Sequence, residues 1–304
     1  MRSAPTAWCS TTTTAAAAAR HPGFWMRPVD ILVITHNRSA YVERTLSTLF
    51  ADSTEFHVYM WDNASTDGAR ELVDDCDDPR IMDKHFSDEN VMQEVPTRWL
   101  LDVARSDVIG KVDDDTLVPA GWTALLASAV RAESRLGMVG CWTFRPEDFE
   151  RNRAAADRKV ITVGSHRILA DIYIAGTASL MRRDVAIRYL TDKMKGRAFP
   201  IDRYRMTWDG FISGWYFPLL FAEHMDDPRS EYSLMRGRGP MDEGAALTAR
   251  TRGFETPEQF VEWLKADVDQ KMARSLRRQS WEARWERAPW SRAWRFATAR
   301  RGPR

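Results

Sequence analysis

The sequence predicts an α/β protein: a mostly parallel sheet with helices on both faces, followed by a helical C-terminal extension. Three observations lead there. Apolar β-branched runs alternate with segments of helical period, polar loops rich in Asp, Asn and Thr follow the runs, and from about residue 250 the composition turns to Trp and Arg.

Val29 to Ile34 has the composition of a buried strand, and Ser39 offers an N-cap to a helix carrying Val42, Thr45, Leu46 and Leu49 on one face. Phe56 to Trp61 is the next strand, with the loop Asp62 to Gly68 and a helix Ala69 to Asp75. A short strand Arg80 to Asp83, a helix Pro96 to Arg105 and a strand Ser106 to Val112 continue the alternation. Pro119 suits the first turn of a helix Ala120 to Arg131, where a missing N–H costs nothing. Beyond it the alternation loosens. Gly137 to Trp142, Val160 to Val163 and Ile172 to Met181 look like strands, and Arg145 to Lys159 reads as a charged connection.

The chain has 304 residues, 44% of them hydrophobic, enough for one large domain or two small ones, and a net charge of +1 that argues against bulk nucleic-acid affinity. That average hides a basic tail: Lys271 to Arg304 holds 11 Lys and Arg against 2 Glu. Three cysteines, Cys9, Cys76 and Cys141, have no metal-binding spacing and fit reduced thiols in a cytosol. Residues 1–27, with a Thr and Ala run and no apolar core of a signal peptide, are expected to be disordered. No apolar run is long enough to span a bilayer.

The chemistry concentrates at Asp113, Asp114 and Asp115, at the end of a strand. Two like charges ~4 Å apart repel by about 4 kcal/mol at an effective dielectric of 20, so clustered acids call for a counter-ion unless they form a solvated turn. Alternation sends Asp113 and Asp115 to one side, where oxygen ligands at i and i+2 suit Mg²⁺ or Mn²⁺ bridging to a diphosphate.

Four segments then resemble the family 2 glycosyltransferases of the GT-A fold, over roughly Val29 to Pro228. They are Val33 to Arg38 (Val-Ile-Thr-His-Asn-Arg), Asp62 to Gly68, Val112 to Asp115 with Pro119 and Trp122, and Ala175 to Arg183. The resemblance implies a Rossmann-like sheet and a catalytic domain over 28–250 with a nucleotide-sugar half (28–135) and an acceptor half (136–250); composition marks 251–304 as a basic, Trp- and Arg-rich helical tail. The resemblance also implies a UDP-, dTDP- or GDP-linked donor, a divalent metal and inverting transfer to a hydroxyl of a glycan or lipid-linked acceptor. Donor contacts carry over to Thr35, His36, Asn37, Arg38, Asp62, Asn63, Asn90, Arg98, Asp113 and Asp114; Asp62 also fits a turn cap and Arg98 an exposed helix residue. Metal ligands carry over to Asp115, Asp113 and His224, and the proton acceptor to Asp209, with Asp202 as alternative.

Two departures stand out. Ile34 and His36 replace the proline and tyrosine of the family's usual Pro-Thr-Tyr-Asn loop, and Asn63 replaces a second acid after Asp62. A nucleotidyltransferase is the rival enzyme, but Thr35 to Arg38 lacks the glycines of a phosphate loop; a non-catalytic binding protein on the same fold is the rival of another class. Asp226 and Asp227 read as caps of the turn at Pro228. In the tail, Phe260, Trp263, Leu264 and Val268 suit a packed helix, whereas the pairs Trp281/Trp285 and Trp290/Trp294 among arginines suit an interfacial helix at the inner face of a membrane, a helix docked on the catalytic domain or a partner, or an RNA-binding tail. The expected location is cytoplasmic, with no specific nucleic-acid partner.

Overall fold

The computed structural model describes residues 27–191, 199–235, 249 and 252–287. The expectations for the first 26 residues, for Cys9 and for Trp290 and Trp294 lie outside them.

One nine-stranded sheet crosses both expected halves, in the order β3-β2-β1-β4-β9-β6-β10-β8-β7. Its first part is β1 (Asp30–Thr35), β2 (His57–Asp62), β3 (Ile81–Phe86) and β4 (Val108–Asp113), all parallel. β9 (Ser179–Arg182) runs antiparallel between β4 and β6 (Leu136–Gly140). β10 (Ile212–Phe217) is parallel to β6, and β8 (His166–Ala170) pairs antiparallel with β10 and with β7 (Val160–Val163). Thus β1, β4, β6 and β10 all point their carboxyl ends to the same edge. A small second sheet joins β5 (Thr116–Leu117) to β11 (Glu223–His224) at that edge.

The alternation of β1 serves both layers. Ile31 and Val33 pack with Val42, Leu46 and Leu49 of α1 (Ser39–Ala51), Val73 of α2 (Ala69–Asp75) and Leu126 and Val130 of α4 (Trp122–Ala132). Leu32 and Ile34 face the other way, toward Leu100 and Leu101 of α3 (Glu94–Val103) and Val185 and Tyr189 of α6 (Arg183–Tyr189). Burial of side chains of this kind stabilises by roughly 1.5–3 kcal/mol each.

Several boundaries differ from expectation, for local reasons. The α1 N-cap is Arg38, and the Ser39 amide donates instead to Asp67 Oδ2 at 2.8 Å. The helix after the acids begins at Trp122, not Ala120, because Thr116 and Leu117 pair with β11 and Gly121 turns at φ 72° first. Of the expected strand Ile172 to Met181 only Ser179 onward joins the sheet; Ala178 has φ 46°, which an extended strand cannot hold. The connection Arg145 to Lys159 contains a helix, α5 (Pro146–Asp157), whose buried residues are only Asp148, Phe149 and Ala156, too few to give an apolar stripe. α7 (Arg203–Trp208) then leads into β10.

The extension forms α8 (Pro257–Ala273) and α9 (Leu276–Arg287). Phe260, Leu264, Val268 and Met272 of α8 are buried, as the spacing predicts for the first three. In α9, Gln279 is buried, accepting from the Ile172 amide at 3.0 Å and donating to Asp171 Oδ2 at 2.9 Å. Among the described residues no helix is long and apolar enough to cross a membrane.

Candidate active site

The carboxyl ends of β1, β2 and β4 bring most of the expected donor residues to one edge, as expected where ligands bind in open α/β sheets. Thr35 and Asp62 end their strands in register with one another, and Ile34 is in register with Asp113. From there the side chains divide.

Arg38, 6% exposed at its side chain, lies among three acids. Its Nη1 donates to Asp115 Oδ2 and reaches Asp114 Oδ1 at 3.4 Å, and its Nη2 donates to Asp226 Oδ2 at 3.2 Å. His224 Nε2 is 3.5 Å from the same Asp115 oxygen, and the His36 amide donates to Asp114 Oδ2 at 3.2 Å. Burial opposes the charge on Arg38, but Asp226, Asp115 and Asp114 outweigh it and hold the guanidinium well above its ordinary pKa. Burial also pushes Asp115 up, yet His224 and Arg38 bring it well below the usual carboxylate range. On Asp114 burial prevails over Arg38, and Asp115 adds to it, raising the group to about 7. Burial lowers His224, but Asp115 overrides it and raises the imidazole to about 9.

Asp113 stands apart from this group, contrary to the shared side that alternation predicts for Asp113 and Asp115. β4 ends at Asp113 and the next two residues turn. Its carboxylate pairs with Lys111 Nζ, two residues earlier on the same face, and that fully buried ammonium also donates to Gln93 Oε1 at 2.9 Å. Among the described residues no three His, Cys, Asp or Glu side chains converge in a group that holds a metal. Asp115 and His224 nonetheless face each other with the oxygen and nitrogen donors a divalent ion takes, and the place between the acids is filled by Arg38. Asp226 was read from the sequence as a turn cap. The acid run beside His224 is the signal that marks it, but its partner Arg38 is 188 positions away.

The remaining donor candidates are engaged locally. Asp62 is fully buried and accepts the Ser65 amide, the turn-capping role its position also fits. Asn63 accepts from Trp61 Nε1 at 3.0 Å and donates to the Met92 carbonyl at 2.9 Å, fastening the loop after β3. His36 Nδ1 lies 2.7 Å from the Asn63 carbonyl, and Asn37, at φ 52°, accepts from the Thr66 amide at 2.7 Å. Asn90 caps a turn by accepting the Met92 amide, and Arg98 pairs with Glu94 along α3, the ordinary role open to it.

The match that decides the family covers this edge: the description Glycosyl transferase family 2 fits residues 30–190, more than half of the chain. The chain belongs to glycosyltransferase family 2. This family 2 glycosyltransferase is also similar to solved structures. Mannosyltransferase PcManGT from Pyrobaculum calidifontis, in complex with GDP-Man and Mn2+, is 18% identical over 90% of this chain and 80% of that one, with a TM-score of 0.49. TarS 1-349 from S. aureus is 12% identical over 66% of this chain, which spans 61% of that structure, with a TM-score of 0.49. The same TarS piece in complex with UDP-GlcNAc gives 12% over 65% and 58%, at 0.48. Comparison with curated proteins gives no match.

Asp209, the proton acceptor that the resemblance implies, stands apart from these residues. It follows α7 and precedes β10, whose first residue is in register with Leu136, the first of β6. Asp209 therefore lies at the amino edge, a strand's length of about 20 Å from the carboxyl edge. There its Oδ2 accepts from the Tyr189 hydroxyl at 2.7 Å and lies 3.5 Å from Arg188 Nη2. Asp202, the alternative, is the N-cap of α7 and accepts the Arg205 amide at 2.9 Å. Three residues before it, the Phe199 amide donates to Gln93 Oε1, the same oxygen that holds Lys111 beside Asp113.

Proposed function

We propose that this glycosyltransferase moves a sugar from a UDP-, dTDP- or GDP-linked donor to a hydroxyl of a glycan or lipid-linked acceptor, with inversion and with Asp202 as the base. The observation that carries the proposal is the facing of Asp115, which lies within the matched residues 30–190, and His224, which lies beyond them, at the carboxyl edge with Arg38 beside them. The acceptor oxygen forms its bond to the anomeric carbon as the bond to the diphosphate oxygen breaks. The hydroxyl proton passes to the Asp202 carboxylate, and the nucleoside diphosphate leaves. Thr35, His36, Asn37 and Arg38 border the nucleotide in this reading, with Asp113 and Asp114 toward ribose and sugar. Asp115 and His224, with Asp113 as the remaining expected ligand, would hold Mn²⁺ or Mg²⁺, which supplies Lewis acidity to the departing diphosphate.

Calorimetric titration of UDP, dTDP and GDP, each with and without Mn²⁺, tests the donor site; the expected outcome is binding of one of them, and binding of none overturns the reading. The base is tested by donor-sugar release to water or acceptor. Asp202→Asn is expected to lower turnover by about 10²- to 10⁴-fold, and Asp209→Asn to leave it within a few-fold. The reverse pattern would restore Asp209.

A cytoplasmic enzyme in peripheral contact with the inner face of a membrane belongs to the same proposal. It is supported by Trp281, 58% exposed on α9 next to a strongly basic terminus. Sedimentation with anionic liposomes, comparing the full chain with one ending at Ala273, tests it; equal binding by both removes the membrane contact.

A further inference from the structure

We propose that Arg38 is a built-in cation that closes the pair Asp115 and His224 to a divalent ion until a nucleoside diphosphate draws the guanidinium away, so that metal and donor bind together and metal alone binds weakly. The inference rests on the donor-site reading above and adds an order of binding to it.

The Asp115 oxygen that would serve a metal is the one already shared between Arg38 Nη1 and His224 Nε2. The second expected acid, Asp113, is likewise held by its own cation, Lys111. A free dication must therefore break ion pairs with side chains that are almost wholly buried, 6% exposed for Arg38 and 0% for Lys111. Such partners surrender a carboxylate only in exchange for another anion.

The cluster is also incompletely satisfied. Asp226 Oδ1 and Arg38 Nε are buried without a hydrogen-bond partner among the described residues, so the closed arrangement leaves one acceptor and one donor unused. A diphosphate offers Arg38 paired oxygens in the geometry a guanidinium prefers, and the vacated acids then offer theirs to a cation. Arg38 sits where such a movement is local: it is the residue before α1, its side chain caps nothing, and Asn37 before it has a left-handed backbone.

Mn²⁺ binding followed by the loss of the free-ion paramagnetic resonance signal tests this without turnover. Wild type is expected to bind Mn²⁺ alone at least tenfold more weakly than in the presence of the nucleoside diphosphate that calorimetry selects. Asp226→Asn removes the anchor of Nη2 without removing an expected ligand, and is expected to bind Mn²⁺ alone at least tenfold more tightly than wild type. Arg38→Gln should do the same and Arg38→Lys should stay weak. Attraction by acid charge alone makes the opposite prediction for Asp226→Asn, weaker binding, and that result overturns the proposal. Tight binding of Mn²⁺ alone by wild type overturns it as well. Should Arg38→Gln unfold, as thermal melting would reveal, Asp226→Asn and wild type decide. Failure of every nucleotide to bind strikes the donor reading instead, since the Mn²⁺-alone comparisons contain no nucleotide.

Discussion

Asp148 is fully buried near the start of α5, with Arg151 Nη1 at 2.7 Å on one oxygen and Arg229 Nη2 at 2.8 Å on the other. Burial raises its pKa, but the hydrogen bonds from Arg229 and Arg151 outweigh that and hold it below the usual carboxylate range. A group whose pKa falls on folding stabilises fully above its unfolded value of about 4 and loses that contribution as pH drops through the folded one. Asp148→Asn is thus expected to cost about 1–3 kcal/mol at pH 7, and melting curves from pH 7 to 3 should show the gap to wild type shrinking toward the acid end. A constant gap would refute the ionic account. The same scale shows what the sequence could reveal of the site. Asp113 to Asp115 were legible because local order shows that they end a strand. Their partners were not, because Arg38 meets Asp115 across 77 positions and Asp226 across 188, and only the fold brings these together.

Elements were legible where composition and geometry agree. β1 and β4 are buried β-branched runs and β2 is a buried run of Val, Tyr, Met and Trp, and the parallel order followed from their alternation with helices. The Ile172 to Met181 segment has the same composition, yet Ala178 turns it out of the sheet, and no local pattern announces a left-handed alanine. The place of Asp209 was not legible, because which edge it reaches depends on the direction of β10, fixed by its parallel pairing with β6. Within β4, Gly110 shows how closely β9 approaches. A Cβ there would stand 2.2 Å from Leu180 Cδ2 and 2.7 Å from the Ser179 carbonyl. Leu180 can rotate but the Ser179 backbone belongs to the ladder, so Gly110→Ala should lower stability by about 1–3 kcal/mol in urea titrations. An unchanged midpoint would mean that β9 yields more readily than this contact allows.

At the scale of the whole molecule, the extension is part of the body as far as it is described. Lys159 Nζ pairs with Asp171 and donates to the Lys271 carbonyl at 2.8 Å, and Gln279 reaches the same Asp171. Gln279→Ala leaves the Ile172 amide without its acceptor and is expected to cost about 1–3 kcal/mol and to speed proteolysis within α9; unchanged protease resistance would show that the helix holds by other contacts. The reversed strand β9 has a further consequence. It comes from the second half of the chain, yet its hydrogen bonds complete the edge of β4 in the first, with Gly110 opposite Leu180. A fragment ending at Arg135 would present β4 as a bare, apolar edge open to any other strand, and the remaining fragment would carry β9 with one side unpaired. The two pieces should precipitate apart and recover solubility when co-expressed, because a single four-residue strand is the seam along which each completes the other.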